Sequence, residues 1–462
     1  MMSTGNKLQT QWSNEYGRYL VAACDIPEKT VVLLENVILH APADDVKNKT
    51  DATKLCLVCC CPSDRRCTTC GWCICSPDCE KMQCHSNECN LFTKNKVKFP
   101  PPHKWPILNK TILVLRCLLM KLYGRGEWLD FLSKLEHHSR VRGTKSTCNR
   151  SDKMIMDNIQ YFYGCAECPF SEIEIRTVCG IINVNAFFAE SNEDSSHWRA
   201  KCMFKKASLF AHSCSPNCYW NIELKQDGSI SGKYQPDIQI EVATAKPIKK
   251  GEMLTIFYST RYALYGTLKR IVLMEEIAHF QCKCYRCRDS TEMETFMSAL
   301  KCFDCERDYL LPQYPTEAQS DWKCLDCGST QNVCKIVSRV CEIEDQAEQI
   351  QVLGLSFNDE LALLSTIARK ASGNILHKNH YVLQEIATRT IQLLIENGIL
   401  NVDKSSENTI ANLELFVNQC TFLLNIARTL LSAMTGYIGT LQSYLQAAEE
   451  VRTIVLEKKL TK

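Results

Sequence analysis

Charge of either sign is nearly absent on balance: 54 Lys and Arg face 52 Asp and Glu across 462 residues, a formal net charge of +2. So even a balance argues against a surface built to coat nucleic acid. An apolar leader is missing too, because Met1 to Ser13 is polar and has no secretory h-region. The best apolar run, Ile112 to Met120, is interrupted by Arg116, whereas a bilayer span needs about 20 apolar residues. No membrane association is expected on this reading. No Lys/Arg cluster reads as an import signal, so cytoplasm and nucleus both fit. None of the cysteine arrays has the Cys2His2 spacing of a DNA-reading finger, so no direct sequence-specific contact with nucleic acid is expected.

Cysteine is the opposite case, at 30 residues in a chain whose 45% apolar and 23% charged content is ordinary. In a chain of this length, with room for about two to four domains, that abundance suggests reduced intracellular thiols, many of them on metal. The densest array is Cys56-x2-Cys59, Cys67-x2-Cys70, Cys75-x3-Cys79 and His85-x3-Cys89. Pairs of soft ligands two to four residues apart suit two tetrahedral zinc ions, four ligands each. Spacing alone allows consecutive quartets (Cys56, Cys59, Cys67, Cys70, then Cys75, Cys79, His85, Cys89). It equally allows interleaved ones (Cys56, Cys59, Cys75, Cys79, then Cys67, Cys70, His85, Cys89). Either way the sites are closed and structural, folding a segment too small to own a core. Cys60, Cys61, Cys73 and Cys84 have no place in the pattern.

Two further arrays follow. Cys282-x-Cys284-x2-Cys287 offers three thiolates and lacks a fourth ligand nearby. Cys302-x2-Cys305 and Cys324-x2-Cys327 have zinc-ribbon spacing. Cys165-x2-Cys168 stands alone and reads as ordinary thiols. Short strands are expected over Tyr19 to Ala22 and Val31 to Leu34, around the turn-like Asp25-Ile26-Pro27-Glu28-Lys29. The spacing of Leu115, Leu119 and Leu122 indicates an amphipathic helix. From about Lys335 helical signals take over: Glu360 to Ala371, Tyr381 to Gly398, and Asn412 to Val455 in two or three pieces. His377 and His380 read as cap or packing residues, since no thiolate pair lies near them in sequence.

The first array resembles the MYND zinc finger, whose ligands interleave, and that resemblance favours the second wiring. Gly17-Arg18-Tyr19-Leu20 resembles the first segment of a SET domain. His212-Ser213-Cys214-Ser215-Pro216-Asn217, then Gly251 to Tyr258, then Phe280-Gln281-Cys282-Lys283-Cys284-Tyr285-Arg286-Cys287, resembles the SET core and its post-SET tail. The chain is therefore identified as similar to the SMYD (SET and MYND domain) family, in its arthropod-type branch. The fold this implies is α+β: a SET β-fold split by a MYND finger, with a post-SET zinc site and an all-α, tetratricopeptide-like C-terminal domain. No clean 34-residue repeat is visible. The implied boundaries are 1–50 for an N-terminal SET segment, 51–92 for the finger and 93–180 for a helical linker. SET core at 181–265, post-SET tail at 266–292, ribbon at 293–334 and helical domain at 335–462 complete the expectation. Leu135-Glu136-His137-His138 resembles the family's linker, and Gly180 to Phe187 its Asn-x-Phe strand.

By the same resemblance Cys214 is the fourth ligand of the post-SET site, making three to four zinc ions with the ribbon. Tyr258 takes the catalytic position, and Gly17, Arg18, Asn185, His212 and Phe280 contact S-adenosylmethionine, Phe280 by stacking on adenine. The implied activity is protein-lysine N-methylation of histone or non-histone lysines, with proline-rich peptides as partners of the finger. Two positions depart from the pattern: Ala211 replaces an Asn that binds the cofactor, and Tyr19 replaces a glycine. Both favour the alternative of a catalytically inactive SET/MYND adaptor that binds partner proteins through its finger and helical lobe.

Overall fold

A computed structural model describes residues 7–43, 54–164, 167–190, 199–224, 237–259, 262–401, 409–431, 433 and 435–460. Cys165 lies outside them. Four strands precede the first cysteine array: β1 (Leu8–Ser13), β2 (Gly17–Ala22), β3 (Val31–Asn36) and β4 (Leu39–Pro42). Among the described residues six follow it before residue 260: β5 (Phe187–Glu190), β6 (Arg199–Met203), β7 (Ala211–His212), β8 (Cys218–Leu224), β9 (Ile238–Thr244) and β10 (Thr255–Ile256). The early strands take late partners. β3 lies antiparallel to β9, with Val31 opposite Ala243, and β9 also pairs with β8. β4 pairs with β6, which pairs with β5. The β1–β2 hairpin closes on the late segment through Ala22 N–H to Glu252 O, 2.9 Å, and Leu254 N–H to Leu20 O, 2.9 Å. Leu20, Leu33, Phe210, Ile240, Val242 and Leu254 share one buried core. A single β unit thus forms from both sides of the inserted array.

Three helices bind that insertion to the sheets: Trp105–Tyr123, Ser146–Phe162 and Glu172–Asn185. Arg116, which interrupts the apolar run, is 4% exposed. Its guanidinium forms a bidentate pair with Glu88 on the finger helix Gln83–Lys94, donates to Leu57 O at 2.8 Å, and donates to His40 O on β4. One buried cation thereby joins finger, linker and sheet. Asn185 corrects an expectation: it ends a helix, and the strand starts only at Phe187. A capping box between Ser171 and Glu174 starts this helix, and buried Ile175, Val178, Ile181 and Ile182 recur at helical spacing through it. At Gly180 the helix touches the linker backbone, where an added Cβ would collide with the His137 carbonyl.

Beyond these sheets, β11 (Leu300–Lys301), β12 (Tyr309–Pro312), β13 (Trp322–Cys324) and β14 (Thr330–Gln331) form an antiparallel meander. Helices Val333–Val352, Phe357–Ala371, Tyr381–Glu396, Thr409–Leu430 and Thr435–Leu460 follow. His380 caps the third of these, its Nδ1 accepting from Val382 N–H at 3.3 Å. His377 packs between Phe296 and Tyr309, ring centroids 5.1 and 4.8 Å away. Ile410–Leu430 is long and apolar enough by composition to cross a membrane, a longer stretch than Ile112 to Met120. Here Leu413, Phe416, Cys420, Leu423 and Ala427 are buried among neighbouring helices, as in the core helix of a folded lobe.

Two outcomes follow from these buried groups. Arg116→Met leaves Glu88 charged and unpaired, so unfolding free energy falls by about 3–5 kcal/mol, while Glu88→Met with Arg116→Met restores most of it; urea titration of the single and double variants measures this. Burial lowers the His380 imidazole to about 3, against about 6.5 in an unfolded chain. Between those values the unfolded state binds the extra proton, so stability rises with pH across that window and is lost as pH falls through it. His380→Asn keeps an N-cap and flattens that acid limb in thermal melts from pH 7 to 4.

Candidate active site and metal centres

Folding gathers the cysteine arrays into four quartets: Cys56, Cys59, Cys75, Cys79; Cys67, Cys70, His85, Cys89; Cys214, Cys282, Cys284, Cys287; and Cys302, Cys305, Cys324, Cys327. Within each, all four ligand atoms lie within 4.8 Å of one another. The first two quartets are the interleaved wiring. A zinc–sulfur bond of about 2.3 Å gives a tetrahedron with edges of about 3.8 Å. The separations match: 3.3 Å for Cys59–Cys75, 3.8 Å for Cys67–Cys89, 3.9 Å for Cys214–Cys282 and 3.7 Å for Cys302–Cys327. All are too long for a disulfide, whose S–S bond is about 2.05 Å. His85 Nε2 lies 3.7 Å from Cys70 Sγ. The donor set and its geometry therefore fit zinc at each quartet.

Electrostatics point the same way. In the third quartet the Cys284 thiol is pushed far down by hydrogen bonds from Cys214 and its other neighbours, while Cys282 is pushed far up. Cys56 and Cys59 diverge in the same manner. Without a cation, sulfurs this close favour shared protons over four negative charges. A divalent ion allows all four to be thiolates.

The third quartet has a surround that spacing did not reveal. Arg270 and Arg286 are fully buried, each paired with Glu292, which is 1% exposed. Glu292 Oε1 accepts from Thr267 N–H at 3.0 Å, at the start of the helix Thr267–Ile277. Although burial opposes its ionisation, Arg270 and Arg286 hold the carboxyl at about 2. No local pattern in the sequence gave a sign of this triad.

Cys214 also reaches the candidate catalytic position. The β7–β10 pair sets Ile256 beside His212, and the chain leaving β10 places Tyr258 against the imidazole, centroids 5.1 Å apart. Tyr258 N–H donates to His212 Nδ1 at 3.2 Å. The proton of the neutral ring then sits on Nε2, 3.3 Å from Cys214 Sγ. Burial keeps the ring neutral, lowering it to about 4. The Tyr258 hydroxyl donates to Phe210 O at 3.0 Å, and burial raises it to about 12. Phe280 completes the cluster, with centroids 5.8 Å from His212 and 6.2 Å from Tyr258.

Arg18 and Asn185 both bind linker carbonyls. Arg18 donates to Lys134 O at 2.7 Å, and Asn185 Nδ2 donates to Glu136 O and Ile181 O, both at 2.8 Å. Gly17, just before Arg18, has φ +63, and nothing lies within 4 Å of where a Cβ would stand. On the same helix as Asn185, Asn183 Nδ2 lies 3.0 Å from Nε2 of His279, the residue before Phe280. Of the two departures, Ala211 is a buried methyl on β7. The Tyr19 hydroxyl donates to Gln11 Oε1 at 3.2 Å across the hairpin, so it serves its cross-strand neighbour.

A family model of the SET domain matches residues 17–259, just over half of the chain. The chain is 28% identical over 261 residues to "SET domain-containing protein SmydA-8, isoform B" of Drosophila melanogaster, covering 56% of this chain and 52% of that protein. Isoform A of the same protein is 30% identical over 156 residues, covering 33% and 30%. The chain thus spans about half the length of the first relative and less of the second. Among solved structures, "Crystal structure of the SET domain of LSMT bound to Lysine and AdoHcy" aligns over 98% of this chain and 88% of that one, at 11% identity and a TM-score of 0.37.

Native mass spectrometry of the full chain is expected to count four zinc ions. Cys214→Ser lowers the count to three, and Cys302→Ser removes one ion without disturbing the others. A wild-type count of three would mean that one quartet is empty.

Proposed function

Because the chain belongs to the SET-domain family, with SmydA-8 proteins among its relatives, we propose that it is an S-adenosylmethionine-dependent protein-lysine N-methyltransferase acting on histone or non-histone lysines. The observation that carries this reading is the Tyr258–His212–Phe280 cluster, tied by Cys214 to the cysteine-rich tail. Gly17 leaves its backbone open to a close ligand, and Phe280 offers a half-buried ring face. Those features suit the adenosyl part of the cofactor. At its amino-acid end Ala211 supplies no polar group, and the Asn185 amide already serves two carbonyls. One absent hydrogen bond of this kind costs about 1–3 kcal/mol.

When bound, S-adenosylmethionine supplies a sulfonium methyl group for direct displacement by an amine. A free lysine has a pKa of about 10.4, and its ammonium form has no lone pair. The aromatic cluster disfavours that charged form by desolvation. Tyr258 stays protonated at neutral pH, and its hydroxyl proton is committed to Phe210 O. Its oxygen is then free to accept an amine N–H and fix the direction of the nitrogen lone pair. Positioning of two bound reactants supplies much of the acceleration. In this reading the MYND-like finger and the helical lobe recruit partners, proline-rich peptides at the finger, in the cytoplasm or nucleus.

Ala211 and the occupied Asn185 amide favour a second reading, a SET/MYND adaptor without turnover. Calorimetric titration with S-adenosylhomocysteine separates them. The enzyme reading expects micromolar affinity, about −8 kcal/mol, lost in Phe280→Ala. Tyr258→Phe should keep that binding and lower methylation of a lysine-peptide array by about a hundredfold or more. No heat at millimolar ligand would leave the adaptor.

A further inference from the structure

The third quartet stands beside an excess of buried positive charge. Arg270 Nη2 lies 3.5 Å from Cys287 Sγ and 2.9 Å from Thr267 Oγ1, while Nη1 lies 2.6 Å from Glu292 Oε2. Arg286 Nη1 donates to Cys214 O at 3.2 Å and Ala263 O at 2.7 Å, and Nη2 lies 3.3 Å from Glu292 Oε2. Both guanidiniums are fully buried, and the Nε of each has no partner. Two cations and one carboxylate leave one net positive charge inside the protein, where an uncompensated charge is strongly unfavourable.

The compensating charge is next to them. Four thiolates on a divalent ion form a doubly negative centre. The backbone is also bent to bring Glu292 there. Glu292, Met293 and Glu294 have φ of 51, 60 and 61°, three successive left-handed residues without glycine. The Asp289 carboxylate holds that turn through Thr291 N–H at 2.9 Å and Met293 N–H at 2.7 Å. A conformation this unfavourable persists only where its surroundings fix it. By contrast, the Arg116–Glu88 pair near the finger quartets is neutral in sum, and Arg307–Asp326 beside the ribbon quartet is solvent-exposed.

We propose that Arg270, Arg286 and Glu292 are the charge-compensating shell of the Cys214–Cys282–Cys284–Cys287 centre and set how tightly it holds its metal, making it the last of the four centres to release zinc. The proposal rests on the reading that this quartet binds zinc. Since His212 hangs on Cys214 Sγ and Tyr258 on His212, the same shell keeps the Tyr258 cluster in place.

The test follows zinc loss from the full, zinc-loaded chain in excess EDTA by native mass spectrometry. Cys214→Ser identifies the phase: the slowest phase should be missing. If instead that variant still holds four ions, the zinc reading of the quartet fails and the proposal falls with it. Arg270→Met should hasten the slowest phase by about 10–100-fold, and Arg270→Lys, which keeps the charge, should stay near wild type. Glu292→Gln keeps the side chain's shape and one acceptor oxygen for the guanidiniums but adds to the positive excess, so it should slow the same phase. Opposite signs for Arg270→Met and Glu292→Gln are what charge compensation requires. Acceleration by both, or equal loss in Arg270→Lys and Arg270→Met, would mean packing alone and would overturn the proposal.

Discussion

The Sγ of Cys214 is where three parts of the molecule depend on one atom. It gathers the sulfurs of Cys282, Cys284 and Cys287 from about seventy residues downstream, and it faces the protonated nitrogen of His212. The imidazole in turn receives the backbone N–H of Tyr258. The tail, the β7–β10 pair and the aromatic cluster therefore share a single reference point. Hydrogen bonds of ordinary strength would not fix so distant a segment alone. A closed tetrahedral thiolate site does so because metal binding and folding are the same free energy.

The second constraint is the way an inserted segment is prevented from becoming a loose appendage. Two interleaved quartets give the finger rigidity, yet neither attaches it to the sheets. Arg116 supplies that attachment through Glu88, the Leu57 carbonyl and the His40 carbonyl. Aromatic packing adds to it: Trp72 stacks on Phe92 at 4.0 Å and meets Phe162 of the linker edge-on at 5.7 Å. A buried charge specifies orientation more sharply than apolar contact, since each of its donors must find an acceptor.

Cysteine spacing made much of this readable in the sequence. Pairs at fixed short separations announce themselves without any knowledge of tertiary structure, and the strands at Tyr19 and Val31 lie where alternation and turn residues indicated. The helices after Lys335 were legible for the same reason, period and length. Asn185 was misread because a short Asn-x-Phe stretch looks extended, while the helix holding it is set by Ser171, fourteen residues earlier. Arg270 and Glu292 were invisible for a deeper reason. A buried ion pair has no local signature: in the sequence it is a lysine-like and an aspartate-like position, and only the close approach of separate segments makes it interior. Ile410 to Leu430 was legible as part of a helical stretch but not as an apolar run, because Asn418, Gln419 and Asn425 break the run without ending the helix.

The split of the β unit has a consequence for how the chain is made. β3 and β4 leave the ribosome early, but their partners β9 and β6 lie roughly 160 to 210 residues further on. At about 5–20 residues per second, those two strands wait on the order of 10–40 s with no sheet to join. During that interval the whole first cysteine array has been made, together with the Trp72 and Phe92 rings that stack at 4.0 Å. The insertion, whose eight candidate ligands draw on nothing later in the chain, can therefore be complete before the sheet that surrounds it.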